Sequence, residues 1–126
     1  MVIWIIGLSG SGKTTITDKV YNEVSSKVKN IVKIDGDVIR EMFSYDLGHS
    51  IEDRKKNAHR ISKLCQFLEN HNMIVICSIL SAFEYDRQWN RENIKNYYEI
   101  YIRTSKDVLI KRDSKNIYKK FLKGKI

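Results

Sequence analysis

The sequence predicts an α/β protein with three layers, in which helices cover both faces of a parallel sheet. Short runs of apolar and β-branched residues alternate along the chain with longer stretches of helical spacing, and this alternation is typical of parallel sheets. The length of 126 residues suits one domain with a single core. The first apolar run also leads through a glycine-rich segment straight into a helical stretch. We therefore expect a single domain over residues 1–126.

The strongest motif follows the first predicted strand, residues 2–6. Residues 7–14 are GLSGSGKT, which fits the phosphate-binding pattern G-x-x-x-x-G-K-[ST] at every fixed position. Its glycines let successive N–H groups face one concavity that holds phosphate oxygens, Lys13 supplies positive charge, and the Thr14 hydroxyl can ligate Mg²⁺. The alternative, a glycine-rich turn with an incidental lysine, is disfavoured because a strand and a helix flank the motif correctly. The motif predicts a P-loop NTPase fold with these nucleotide-binding residues: Gly7, Ser9, Gly10, Ser11, Gly12, Lys13 and Thr14.

A helix is predicted over residues 15–27, with an apolar face formed by Ile16, Val20 and Val24. The second strand, residues 31–34, ends in Asp35-Gly36-Asp37. Because ligands gather at the carboxyl ends of parallel strands, we expect both carboxylates to face the same crevice as the phosphate loop. Alternatively, Asp-Gly is a common turn signal and Asp37 could simply cap the next helix.

That next helix is predicted over residues 38–43, with Arg40 in its first turn. The pattern breaks at residues 46–50, and a longer helix then runs to about residue 70, with Ser50 as its cap. Arg54 and Asn57 lie three residues apart near its start, so they share a face and can reach one ligand. Taken alone, Arg54 is as well explained as a solvated surface charge. The apolar stripe of this helix is Ala58, Ile61, Leu64, Cys65 and Leu68.

The remaining predicted elements alternate in the same way. A third strand covers residues 73–80 and is followed by Ser81; a helix over residues 84–95 exposes Arg87 and Arg91. A fourth strand covers residues 98–102. Helices are predicted over 105–112 and 117–122. Among the histidines, His59 and His71 are expected at the surface or at helix ends, whereas His49 lies near the expected cleft.

The composition is that of an ordinary soluble protein, with 42% hydrophobic and 30% charged residues. No apolar run approaches the roughly 20 residues that span a bilayer, and the N-terminus does not have the pattern of a signal peptide. The two cysteines, Cys65 and Cys77, are expected to be buried thiols rather than disulfide or zinc ligands. We therefore expect a cytoplasmic protein that does not bind membranes.

Positive charge is concentrated at the end of the chain. The formal net charge is +8, and residues 103–126 contain nine Lys or Arg against two Asp. Such a tail can attract nucleic acid or membranes, but its helical spacing and the preceding phosphate loop favour a basic lid that closes over a polyphosphate. Nucleic acid is therefore an unlikely partner.

Several separated segments together resemble the adenylylsulfate (APS) kinases, which phosphorylate the 3′-hydroxyl of adenosine 5′-phosphosulfate. The resemblance runs from residue 3 to residue 126 in order and spacing. It adds Thr15, directly after the phosphate-loop motif, to the nucleotide-binding residues. Beyond the phosphate loop it includes Asp35-Gly36-Asp37 with Arg40, Asp46-Leu47-Gly48 with Ser50, Asp53-Arg54 with Asn57, Arg112-Asp113, and Lys115 followed by Tyr118-Lys119-Lys120.

The resemblance implies an ATP- and Mg²⁺-dependent kinase, with a role for each matching position. Asp37 matches the aspartate that accepts the proton of the 3′-hydroxyl, and Asp35 matches its neighbour near the metal, which Thr14 also ligates. Lys115 matches a lid lysine that approaches the phosphates, and Arg112 matches the arginine near the ATP base. The implied nucleotide-substrate residues are Asp35, Arg40, His49, Arg54, Asn57 and Ser81. A homodimer is also implied.

The sequence departs from the family pattern at several places. His49 stands where the family usually has a phenylalanine that stacks on adenine, and a smaller, polar ring favours a different base. Ala82 replaces a proline, and Asn116-Ile117 replaces Gly-Leu in the lid. Some members of this family phosphorylate cytidine diphosphoramidate for capsule decoration, which is the main alternative to APS as acceptor.

The length is a further departure, because family members normally continue past the lid into another strand and helix. We expect that C-terminal strand and helix to be missing here, either because the protein is shortened or because the sequence is part of a longer one. A nucleotide-binding module without turnover is therefore a second alternative to the kinase hypothesis.

Overall fold

The computed structural model describes residues 1–7, 12–80 and 83–102. Within these ranges, four strands and four helices alternate much as the sequence predicts, and each predicted boundary lies within two residues of the observed one. The predicted helices over 105–112 and 117–122 lie outside the described residues. The elements are β1 (Val2–Ile6), α1 (Lys13–Ser25), β2 (Ile31–Asp35), α2 (Gly36–Met42), α3 (Ile51–Asn70), β3 (Ile74–Ile79), α4 (Glu84–Asn93) and β4 (Tyr97–Tyr101).

The four strands form one parallel sheet in the order β2-β3-β1-β4. The register aligns Ile6 with Ile79, and Asp35 with Ser78. The carboxyl ends of β1, β2 and β3 therefore lie side by side, which brings the start of the phosphate loop close to the Asp35-Gly36-Asp37 segment. This confirms the predicted fold class and fixes the edge of the sheet where a site can form.

Alternating side chains of each strand build two hydrophobic clusters, one on each face of the sheet. On β1, Trp4 and its alternate neighbours face α3 and α4, whereas Ile5 faces α1. The central strands are buried on both faces, as expected where helices cover both sides. Cys65 and Cys77 are buried free thiols, as predicted, and burial raises the pKa of Cys77.

Helix α1 does not bury the face that its sequence predicts. Val20 and Val24 pack on the sheet, but Ile16 is 39% exposed and Thr17 is buried in its place. The Thr17 hydroxyl donates a hydrogen bond of 2.6 Å to the carbonyl of Lys13. A buried hydroxyl needs such a partner, and the helix backbone supplies it. The spacing of apolar residues therefore predicts the wrong buried residue at the start of α1, Ile16 instead of Thr17.

Helices α3 and α4 meet at a polar contact that the sequence did not predict. Asp86 is only 2% exposed, and its Oδ1 lies 3.6 Å from Nδ1 of His59. Burial raises the pKa of Asp86, and His59 opposes that shift. His59 also packs against the rings of Tyr85 and Trp89, so it is an interhelical residue rather than a simple surface one.

The prediction that Arg87 is exposed is not confirmed, because only 16% of its side chain is exposed.

None of the helices in the described ranges is both long enough and apolar enough to cross a membrane.

Candidate active site

The phosphate side of the site is the start of α1. Gly12 has a φ of 93°, a left-handed conformation that an L side chain disfavours. The helix begins at Lys13, two residues earlier than predicted, so Lys13 and Thr14 lie in its first turn. N–H groups in the first turn of a helix have no intrahelical acceptor, and together with the helix dipole they favour an anion. No acidic side chain occupies this turn.

A cleft of about 560 Å³ opens between this helix start and the carboxyl ends of the strands. It brings together predicted residues from four elements (α1, β2, α2 and α3) and from the loop between α2 and α3. Gly7 is buried at the end of β1 and Thr15 is exposed on α1, and neither lines the cleft. The sequence-predicted residues that do line it are Lys13, Thr14, Asp35, Asp37, Arg40, His49, Arg54 and Asn57.

The two carboxylates of the Asp35-Gly36-Asp37 segment have different surroundings. Asp35 caps α2, because its Oδ1 accepts a hydrogen bond of 2.9 Å from the backbone N–H of Val38. The alternative in which Asp37 caps this helix is therefore wrong. Asp37 lies in the first turn and its side chain is 55% exposed. Its Oδ1 lies 3.0 Å from Nη1 of Arg40 and 3.7 Å from Nε2 of His49.

Arg40 joins α2 to the loop that follows it. Its Nη1 binds Asp37, and its Nε donates a hydrogen bond of 3.2 Å to the carbonyl of Gly48. Because α2 begins at Gly36, Arg40 lies in the last turn of the helix rather than the predicted first turn, and it is only 7% exposed. A buried guanidinium with two acceptors is a fixed group, so Arg40 holds Asp37 and the loop in one arrangement.

The 43–50 loop (residues 43–50), which joins α2 to α3, forms the far wall of the cleft. The N–H of Gly48 donates to Oδ2 of Asp53 at 2.8 Å, and Nε of Arg54 donates to the carbonyl of His49 at 2.8 Å. Ser50 caps α3 as predicted, because its hydroxyl accepts from the N–H of Asp53 at 3.1 Å. The first turn of α3 thereby fixes His49 beside Asp37. Arg54 is thus a cleft residue with a loop partner, not a solvated surface charge.

Two guanidinium groups, Arg40 and Arg54, line the cleft close enough to repel each other. Burial lowers the pKa of Arg54, repulsion by Arg40 lowers it further, and Asp37 opposes both. Burial also lowers the pKa of His49, with Arg40 and Arg54 adding to the effect and Asp37 opposing it. Mutual repulsion of this kind is relieved when an anion enters. The cleft is therefore suited to phosphate or sulfate groups, and the lowered pKa favours the neutral form of the His49 ring.

Comparison with known proteins assigns the sequence to a family. The family model for adenylylsulphate kinase matches residues 1–126, the whole chain. The chain belongs to the adenylylsulphate kinase family. This confirms the resemblance predicted from the motifs.

The relatives in this family are kinases with two kinds of nucleotide acceptor. The cytidine diphosphoramidate kinase of Campylobacter jejuni is 41% identical over 99% of this chain and 73% of its own length. A probable adenylyl-sulfate kinase of Bacillus subtilis is 39% identical over 99% of this chain and 64% of its own length. The chain therefore spans between about two thirds and three quarters of the length of these relatives.

Solved structures agree with the family assignment. The Mycobacterium tuberculosis APS kinase CysC, solved in complex with AMPPNP and APS, is 28% identical with a TM-score of 0.82. The match covers 99% of this chain and 75% of that one. The family fold is thus present across the described part of the chain.

Some predicted site residues of this adenylylsulphate kinase family member lie outside the described residues. They are Ser9, Gly10, Ser11, Ser81, Arg112 and Lys115. The structure also shows a cleft residue that sequence reasoning missed. Ser78, which is 6% exposed, lines the cleft beside Asp35 on the neighbouring strand. Its position near the carboxyl end of a buried strand was the available signal.

Gly36 offers a direct test of packing on the acceptor side of the cleft, the side that Arg40, His49, Arg54 and Asn57 line. A Cβ at this position would lie 3.2 Å from Nη1 of Arg40 and 3.5 Å from Nδ2 of Asn57. Because the Arg40 side chain is buried and bonded at two nitrogens, we expect Gly36→Ala to displace it. The KM for the acceptor nucleotide should rise about tenfold, while the KM for ATP changes little.

Steady-state rates with each substrate varied in turn would measure this effect. Gly48→Ala is the matched control, because a Cβ there meets only Oδ2 of Asp53, at 3.4 Å. Equal KM values for Gly36→Ala and the unmodified protein would show that Arg40 can shift without consequence.

Proposed function

We propose that this protein transfers the γ-phosphate of ATP to the 3′-hydroxyl of a nucleotide, with adenosine 5′-phosphosulfate as the default acceptor. One observation carries the proposal: a single cleft joins Lys13 and Thr14 at a helix N-terminus to the carboxylate of Asp37. The complex of a 28% identical APS kinase with AMPPNP and APS supports both substrates. We propose one domain over residues 1–126; the basic lid that the family resemblance implies lies outside the described residues.

The chemistry follows from the positions of the side chains. Asp37 accepts the proton of the 3′-hydroxyl while that oxygen attacks the γ-phosphorus. The new P–O bond forms as the bond to the β–γ bridging oxygen breaks, and ADP leaves. Lys13 and the N–H groups of the first turn of α1 neutralise the charge that develops on the phosphates. Lys115 and Arg112 are assigned to ATP by resemblance alone.

Mg²⁺ fits the residues present. Magnesium prefers oxygen ligands and usually keeps waters while binding one or two protein oxygens and the phosphates. Thr14 and Asp35 both line the cleft, and the helix cap uses only Oδ1 of the Asp35 carboxylate. Bound there, the ion would offset phosphate charge.

The acceptor side is suited to a doubly anionic group. Arg40 and Arg54 both line it, and planar guanidinium groups bind phosphate or sulfate oxygens in pairs. Asn57 and His49 complete this wall. The same set suits a phosphosulfate and a diphosphoramidate, so the cations do not choose between the two acceptors.

Cytidine diphosphoramidate is the second candidate acceptor, and His49 favours it. The Campylobacter jejuni relative that carries this name is 41% identical, and His49 replaces the phenylalanine that the adenylyl-specific pattern would place there. Supplying each acceptor with ATP and following ADP release would separate the candidates. Phosphorylation of the cytidine compound alone would reject APS, and ATP binding without turnover of either would favour the module without activity.

Replacing His49 by Phe tests the base preference. A larger apolar ring adds stacking area for a purine, so we expect His49→Phe to raise the ratio of kcat/KM for APS over the cytidine compound about threefold to tenfold. The ratio cancels any effect of losing the contact with Asp37, which both acceptors share. His71→Phe, at the distant end of α3, is the matched control. An unchanged ratio would mean that His49 does not contact the base.

A further inference from the structure

Arg60 does not line the cleft, but it contacts two parts of the chain that do, the 43–50 loop and Asn57. It lies on α3, three residues after Asn57, and its side chain is 20% exposed. We propose that Arg60 is a positioning residue that holds the 43–50 loop and the Asn57 amide in register with the Asp35-Gly36-Asp37 segment. The effect of Arg60 on catalysis rests on the proposed kinase function, whereas its effect on the positions of the 43–50 loop and the Asn57 amide does not.

The first contact of Arg60 is with the 43–50 loop. Its Nη1 and Nη2 donate hydrogen bonds of 3.2 and 3.1 Å to the two carboxylate oxygens of Asp46. The guanidinium carbon also lies 4.3 Å from the centroid of the Phe43 ring. Asp46 and Phe43 belong to the same loop as His49. One guanidinium therefore fixes the half of the loop that leads to the cleft residues.

The second contact sets the orientation of Asn57. Nη2 of Arg60 donates to Oδ1 of Asn57 at 3.3 Å, and Nδ2 of Asn57 then donates to the carbonyl of Gly36 at 3.2 Å. Without Arg60, the amide could turn over and set its oxygen against the Gly36 oxygen. Asn57 is 1% exposed, so water cannot easily replace the lost partner. Arg60 thereby supports the backbone between Asp35 and Asp37.

The fork of Arg60 is what joins these contacts. Nη2 is shared between Asp46 and Asn57, and the guanidinium carbon lies over the ring of Phe43. An isolated exposed ion pair would contribute little, but these contacts form one network that a point charge cannot reproduce. Lysine at this position keeps the charge but loses the planar fork, whose Nη2 is shared between Asp46 and Asn57.

Substitution of Arg60 separates positioning from general stability. We expect Arg60→Met to raise the acceptor KM about tenfold or more with little change in the KM for ATP, and Arg60→Lys to restore only part of the loss. The matched control is Arg91→Met, since Arg91 makes a comparable two-bond pair with Glu99, at 3.0 and 2.7 Å, away from the cleft. That control should leave both KM values unchanged even if its Tm falls.

A second measurement does not require turnover. Hydrogen–deuterium exchange of peptides covering residues 43–50 should be faster in Arg60→Met and unchanged in Arg91→Met. Asp46→Asn should have the same effect, and the double variant should be little worse than either single one. If exchange and acceptor KM both match the unmodified protein, or if both KM values rise together with a lower Tm, Arg60 is not a positioning residue. If the unmodified protein turns over neither acceptor, the proposed function fails and exchange alone decides the role of Arg60.

Discussion

Replacing Asp37 by Asn is expected to lower kcat by about 10²- to 10⁴-fold and to leave ATP binding intact. The amide keeps the size of the side chain but cannot accept the proton of the 3′-hydroxyl at neutral pH. Asp37 is proposed for this role because its side chain is 55% exposed in the cleft, whereas Asp35 caps α2 and is assigned to Mg²⁺. Steady-state kinetics with the acceptor and titration calorimetry with ATP would measure the two effects separately.

The distribution of the loss between kcat and KM distinguishes two roles for Asp37. Because Asp37 also binds Arg40 at 3.0 Å, a rise in acceptor KM with normal kcat would mean that it acts through Arg40 rather than as the base. Near-normal values of both would remove it from the reaction. Glu52→Gln is the control, since it removes an exposed carboxylate from the first turn of α3.

The second large effect is expected at the phosphate side. Lys13→Ala should weaken ATP binding and lower kcat/KM by at least about 10²-fold, because it removes the ammonium group that we propose binds the β- and γ-phosphates. Lys13 lies in the first turn of α1, where the helix dipole and its charge act on the same phosphates. Calorimetric titration with ATP in the presence of Mg²⁺ would report the loss directly.

A lysine elsewhere on α1 provides the comparison. Lys19→Ala removes the same charge from the exposed face of this helix and should leave ATP affinity unchanged. Equal, small losses of ATP affinity in the two variants would indicate that the affinity depends only on the net charge of the helix. ATP affinity that survives Lys13→Ala would place the nucleotide elsewhere.

The elements of the fold could be predicted because their signals are local. Apolar runs of β-branched residues marked the strands, and Ser50 followed by an acidic turn marked the start of α3. The phosphate-loop motif likewise needs only its own spacing and its two flanks. The prediction failed at Ile16 and Thr17, where two neighbouring residues compete for the buried face and the packing of α1 on the sheet decides.

The membership of the cleft was also largely predictable, because the carboxyl ends of parallel strands meet at one edge. The positions of Asp35 and Asp37 relative to Lys13 follow from that rule. That rule does not say which of the two aspartates caps α2. The sequence alternative named only Asp37 as a cap, and the observed helix start at Gly36 assigns the cap to Asp35.

The sequence by itself determined the order of strands and helices, the phosphate loop, the family and most of the residues around the cleft, since each depends on composition or spacing within a short segment. Only the tertiary structure decided which partners these residues have. Arg60 is 14 positions from Asp46, and Asn57 is 21 positions from Gly36. Hydrogen bonds across such separations depend on how α3 packs beside α2 and the sheet, and no local pattern encodes that packing.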